Sequence, residues 1–131
     1  MASYISALGC TCGGPRQTLD FHPYGSYWGA DVVFNGLVDD ITVKTTVYEG
    51  KEYPSSVIVS FAVEEAFRNV AGKTLEIYTS PSGGMCGYPF QKGKRYFVYA
   101  RRNKENQLTE HLCGPTVPLE NAQAADRDPA V

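Results

Sequence analysis

An excess of charge of one sign is missing from this sequence: 12 Lys and Arg stand against 14 Asp and Glu in 131 residues, a formal net charge of −2. Domains that grip a phosphate backbone through charge are normally basic, so nucleic acid is not an expected partner. Long hydrophobic runs are missing too. No stretch approaches the ~18 apolar residues of a membrane-spanning helix, so no membrane span is expected. There is no Gly-x-Ser-x-Gly, no His-Glu-x-x-His, no phosphate-binding glycine loop and no paired-carboxylate motif, so the chain does not read as an enzyme and no cofactor is expected. Methionine and tryptophan are scarce, at two and one, whereas nine Tyr and six Phe point to a strand-rich core. The length predicts one domain. With 43% apolar and 20% charged residues, the composition is that of a globular protein, which excludes wholesale disorder.

Only four cysteines occur, at Cys10, Cys12, Cys86 and Cys113. An even count fits a disulfide framework, with three possible pairings. A bond between Cys10 and Cys12 would close a small, strained ring, so each is better matched to a distant partner. In the chain-entropy account a bridge closing so long a loop contributes on the order of 4–5 kcal/mol. Zinc is the competing reading, with Cys10, Cys12, His111 and Cys113 as ligands and Cys86 spare, although zinc knuckles usually space their ligands by two to four residues. Bridges would imply maturation outside the reducing cytosol and hence a secreted, extracellular protein. Ala7-Leu8-Gly9 places small residues before Cys10 as a signal-peptidase site would, but Tyr4 to Leu8 is too short for the apolar core of a signal peptide. Residues 1–9 therefore read as a leader remnant or an appended extension, residues 10–125 as the domain, and residues 126–131 as a flexible tail.

Along the domain, residues 13–29 are rich in Gly, Pro and aromatics and read as an irregular segment. Asp31 to Val47 alternates β-branched with polar residues, a long strand bulged near Gly36. Tyr48 to Ser56 reads as a loop. Val57 to Val70 carries both periodicities; the β-branched start favours an extended chain over 57–67. Lys73 to Thr79, Lys94 to Ala100 and Gln107 to Cys113 read as strands, the last two joined by the polar turn Arg101 to Asn106. Pro118 to Ala125 has helix formers with a cap at Thr116. Five antiparallel strands that must hide their edges suggest a mainly β fold, a five-stranded Greek-key barrel of the OB-fold type with short terminal helices.

Cys10-Thr11-Cys12, Ala30-Asp31-Val32-Val33, Tyr78-Thr79-Ser80-Pro81 with Cys86-Gly87-Tyr88, and Leu112-Cys113 with Val117-Pro118 follow one another in the order of the netrin-like module. Over residues 10–120 the chain most resembles the N-terminal domain of the tissue inhibitors of metalloproteinases. The resemblance implies the five-stranded barrel and, by position, bridges Cys10–Cys86 and Cys12–Cys113. The third bridge of that family has no counterpart, since residues 13–29 contain no cysteine, and the inhibitors' C-terminal domain is absent from this sequence. Nine residues precede Cys10.

That family inhibits through its first cysteine, whose α-amine and carbonyl chelate the zinc of a target protease. The resemblance therefore implies contact with the protease by Cys10, Thr11 and Cys12, with Thr11 entering the specificity pocket. Ser82, Gly83, Gly84 and Met85, leading to Cys86, would form a second contact ridge. An amine with a pKa near ~8 keeps a neutral fraction at pH 7, and its lone pair binds metal. With residues 1–9 attached, the Cys10 nitrogen is an amide and this chemistry is lost. The partner expected is a zinc metalloproteinase or another extracellular protein. The alternative reading is a secreted module that binds a protein or glycan and inhibits nothing; an OB-type oligonucleotide binder is opposed by the acidic balance. His22 reads as packing or solvated, Glu64 and Glu65 as a solvated face. The basic run Lys92, Lys94, Arg95, Arg101, Arg102 and Lys104 reads as a solvated hairpin among neighbouring acids, Glu105 and Glu110, or as a polyanion patch.

Overall fold

The computed structural model of the chain describes residues 29–81 and 86–122. They are mainly β. In chain order the elements are β1 (Val32–Tyr48), β2 (Lys51–Arg68), β3 (Thr74–Thr79), β4 (Arg95–Arg102), β5 (Leu108–Thr109), β6 (Val117–Pro118) and a 3₁₀ turn, Leu119–Asn121. The sheet runs β1-β2-β3-β5-β4, and β4 pairs again with β1, so five strands form a ring; β6 adds to β4. No helix among the described residues is long and apolar enough to cross a membrane.

The β-branched alternation of Val57, Val59, Phe61 and Val63 prevails over the competing helical period, and residues 57–67 lie within β2. Packing explains the outcome: Val59 and Phe61 enter the ring interior with Phe34, Ile77, Tyr96 and Val98. A second cluster, Val33, Phe97 and Tyr99, lies on the opposite face of β1 and β4 with Val117 and Leu119 packed against it. The bulge expected near Gly36 is present as a register shift between Asn35 and Gly36. A Cβ on Gly36 would stand 2.7 Å from the Ala62 carbonyl oxygen, which is why this closely paired site takes glycine.

Four expectations are corrected. Tyr48 to Ser56 is no loop: β1 and β2 continue to a two-residue turn at Glu49 and Gly50, both left-handed (φ 51° and 79°), the geometry whose twist matches the flanking strands. The strands are not all antiparallel, because β3 and β5 pair in parallel through Tyr78 and Thr109. The strand Gln107 to Cys113 shrinks to Leu108–Thr109, since the chain turns away at Glu110. Where a helix is expected over Pro118 to Ala125, the described residues up to Ala122 form only the short 3₁₀ turn with no side-chain cap, and the rest lies outside the described residues; Thr116 instead accepts the Tyr99 N–H at 3.0 Å.

Phe61 is the hub of the interior. It is fully buried and meets Phe34, Phe90 and Tyr96 edge-on, with ring centroids 5.3, 5.2 and 6.4 Å apart. Phe61→Ala should cost about 3–5 kcal/mol, read as a lower denaturation midpoint, because the ring of contacts cannot collapse into the void. An unchanged midpoint would refute that placement.

Burial also raises the Tyr96 phenol pKa above the ordinary tyrosine value; the Gln91 N–H donated to its oxygen opposes this, and nearby Glu120 adds to it. The unfolded chain then releases this proton at lower pH than the folded one. Stability should fall as pH rises past about 10, the unfolded value, and Tyr96→Phe should flatten that fall in alkaline melts.

Candidate functional site

The cysteine-bearing segments leave the ring where β3 and β5 end. Thr79, buried at the end of β3, accepts the Tyr88 N–H on its hydroxyl at 2.9 Å, which draws the returning chain against the strand. Gly87 passes so close to Ser80 that a Cβ would run into the Ser80 carbonyl, and its N–H donates to Pro81 O at 3.1 Å. Cys86 beside it is left-handed, with φ 65°. Only glycine can follow Cys86 at this distance from a neighbouring backbone.

The second segment is held by a carboxylate. Glu110, buried and bonded through its N–H to Tyr78 O, turns its side chain back into the loop it begins. Its two oxygens accept the His111 N–H at 3.0 Å and the Thr116 N–H at 3.2 Å. Gly114 makes this possible, since a Cβ there would overlap the carboxylate. His111 Nδ1 accepts the Cys113 N–H at 3.1 Å. The two segments then meet: Leu112 donates its N–H to Cys86 O at 2.9 Å. Neither Cys86 nor Cys113 is a free thiol.

Of the residues expected to form the site, Cys86 and Cys113 thus lie on two segments joined by the Leu112–Cys86 hydrogen bond. Cys10, Thr11 and Cys12, and Ser82, Gly83, Gly84 and Met85, lie outside the described residues, as does His22, so the pairing of the bridges and the protease-contact ridge fall there too. The alternative zinc set shares Cys10 and Cys12 with them; among the described residues no group of three or more His, Cys, Asp or Glu could hold a metal ion.

Glu64 and Glu65 are more than a solvated face. Arg95 Nε donates to both Glu64 oxygens at 2.8 and 3.1 Å, and the Asn35 amide donates to Glu65 at 2.6 Å. Glu64 in turn raises the Arg95 pKa, through that hydrogen bond first and through charge second. The basic run is dispersed: Lys92 lies 3.9 Å from Asp40, and Arg102 donates to Asn106 O.

Sequence reasoning missed Glu110 and Gly114 as structural partners. A signal was present, since each of the last two cysteines is followed by glycine, Cys86-Gly87 and Cys113-Gly114. No protein-family model matches the chain, and no curated protein matches it at a significant level.

Removing the carboxylate should leave two backbone donors without their acceptor, at about 1.5–3 kcal/mol for each charge-assisted bond. Glu110→Ala should therefore speed amide exchange at His111 and Thr116 well before it affects Val98 in the core. Uniform acceleration across the ring would show that Glu110 has no local role.

Proposed function

We propose that the chain is a secreted, netrin-like module with an OB-type barrel, acting as an inhibitor of zinc metalloproteinases through the amine and carbonyl of Cys10. The strand order β1-β2-β3-β5-β4 closing on β1, with β3 and β5 parallel, supports the barrel assignment. The observation that carries the reading is the contact between Cys86 and Leu112. Two cysteines separated by one residue are about 7 Å apart in extended chain, so their bridging partners must be near neighbours. Cys86 and Cys113 meet that need. The proposed bridges Cys10–Cys86 and Cys12–Cys113 follow the order of the resembling family.

A catalytic zinc in a protease keeps one open coordination position for water. A neutral α-amine and the carbonyl oxygen of the same residue form a five-membered chelate there and displace that water. The bridge from Cys10 into a segment fixed by Gly87 and Ser80 would hold the chelate rigid, which lowers the ordering cost of binding. Thr11 then fills the protease's specificity pocket, and Ser82 to Met85 supply the second contact.

The test compares a sample beginning at Cys10 with one retaining residues 1–9. Only the first has a free amine, so inhibition should differ by several powers of ten, each factor of ten being ~1.4 kcal/mol. Acetylating that amine should reproduce the loss with little added bulk. Thr11→Gly should change which proteases are bound while the melting curve stays put. Equal inhibition by both samples would overturn chelation; no inhibition by the Cys10-start sample would leave a module that binds protein or glycan only.

A further inference from the structure

Ring closure protects the outer edge of β1 only as far as Val38, whose N–H and C=O meet Lys94 and Gly93. Beyond it β1 runs on to Tyr48 with β2 on one side and, among the described residues, no strand on the other. The turn decides which backbone groups stay open. In a two-residue hairpin the closing pair, here Tyr48 and Lys51, is hydrogen-bonded across the turn. Alternation then directs Tyr48, Thr46, Lys44 and Thr42 toward β2, and the Lys44 carbonyl accepts the Ser55 hydroxyl there at 3.2 Å. Ile41, Val43, Thr45 and Val47 are left to present N–H and C=O outward, a template for another strand.

Protein edges are commonly blunted by a proline or a bulge. The β2 edge of this hairpin has both, Pro54 and the extra residue Ser55 at the Lys44–Thr45 step. The β1 edge from Ile41 to Tyr48 has neither, and Ile, Val and Thr fill it except at Lys44 and Tyr48. Val43 and Val47 are 54 and 64% exposed. They lie on the face of Ile41, which packs against the interior.

The pattern of this edge matches itself. Val43 and Val47 stand two residues either side of Thr45, so a two-fold axis through Thr45 sets each Val43 opposite the other copy's Val47. An isologous interface requires such a self-match. All of these pairs fall at outward-facing positions, so about six backbone hydrogen bonds can form between the copies. Lys44 then faces Thr46. An axis at Lys44 would set two ammonium groups opposite each other, and an axis at Val43 would run Val47 into the bulge between Val38 and Asp40.

We propose that the β1 edge pairs antiparallel with the same edge of a second copy, joining two hairpins into one continuous sheet. The paired stretch is short beside the ~1,600 Å² of a standard stable interface, so the dimer is a weak one. It goes beyond protease inhibition and does not depend on it. Its assay contains no protease, so failure here and failure of the inhibitor reading are separate results.

The full chain is followed by sedimentation velocity up to about 1 mM, where a weak pair is still populated. The sedimentation coefficient should rise with concentration toward that of a dimer. In a mixture of ¹³C-labelled and unlabelled chains, filtered spectra should show the Val43 methyls touching those of Val47. Within one strand these residues are about 13 Å apart, so the contact reports the second copy. Thr45→Lys, which sets like charges on the axis, should return the chain to monomer with its melting curve retained. Thr45→Pro, whose lost N–H points away from β2, should do the same; if it melts early, Thr45→Lys decides. Tyr53→Ser, at an exposed position on β2, should leave dimerisation unchanged. A chain still monomeric at about 1 mM, which would leave the edge to a strand of another protein, overturns the proposal. So does a dimer that survives Thr45→Lys, one that Tyr53→Ser abolishes equally, or one without the Val43–Val47 contact.

Discussion

Residues Val33 to Leu37 are paired along both edges, to β2 on one side and to β4 on the other, and the ring closes through them. An open sheet would leave two rows of unpaired backbone groups, whereas closure removes them. Register shifts within β1 at Val33/Phe34 and Asn35/Gly36 fall in this doubly paired stretch, where extra twist bends the strand round. The interior follows from the same stretch. Val32, Phe34 and Val38 turn into the ring while Val33 turns out beneath Phe97 and Tyr99. Asp31 fixes the entry, donating its N–H to Ala100 O and accepting the Arg102 N–H on its carboxylate.

Closure in this order places β3 beside β5 with the two running in the same direction. Chains leaving neighbouring parallel strands emerge at the same end of a sheet. Ser80 and Pro81, Cys86 to Tyr88, and Glu110 to Thr116, far apart in sequence, therefore share one end of the ring. The Glu110 N–H bonded to Tyr78 O and the Leu112 N–H bonded to Cys86 O are consequences of that direction. Antiparallel pairing of these strands would send the two cysteine segments to opposite ends.

Much of the ring was legible because burial on one face writes a period of two into the sequence. Val57 to Val63 and Leu75 to Ile77 show it, and so does Val32 to Val38 with its bulge at Gly36. The tip and return half of the distal hairpin, Tyr48 to Ser56, were illegible for the same reason inverted. Tyr48 and Tyr53 are 64 and 46% exposed, so no buried face imposes a pattern, and Pro54 counts against a strand. Strand direction leaves no trace in alternation, which is why the parallel pair went unseen. The end of β5 is decided by Glu110, a residue whose preference for the loop shows only once Gly114 and the Thr116 N–H surround its carboxylate. The cysteines of the candidate site were legible as residues, but the hydrogen bond that brings their segments together was not.

Charge in this molecule is local, and that limits how it can recognise anything. The basic run from Lys92 to Lys104 is continuous only in sequence. Tyr96, Val98 and Ala100 turn inward between its members, Arg95 is tied to Glu64, and the Arg101 guanidinium lies against Gly29, where a Cβ would stand 2.8 Å away. With a net charge of −2, no single-sign field extends far from the surface, and salt screens what remains within about 10 Å. Affinity for any partner must come from a few groups held at fixed positions. Among the described residues, the ring holds backbone fixed where Gly87 and Gly114 follow Cys86 and Cys113.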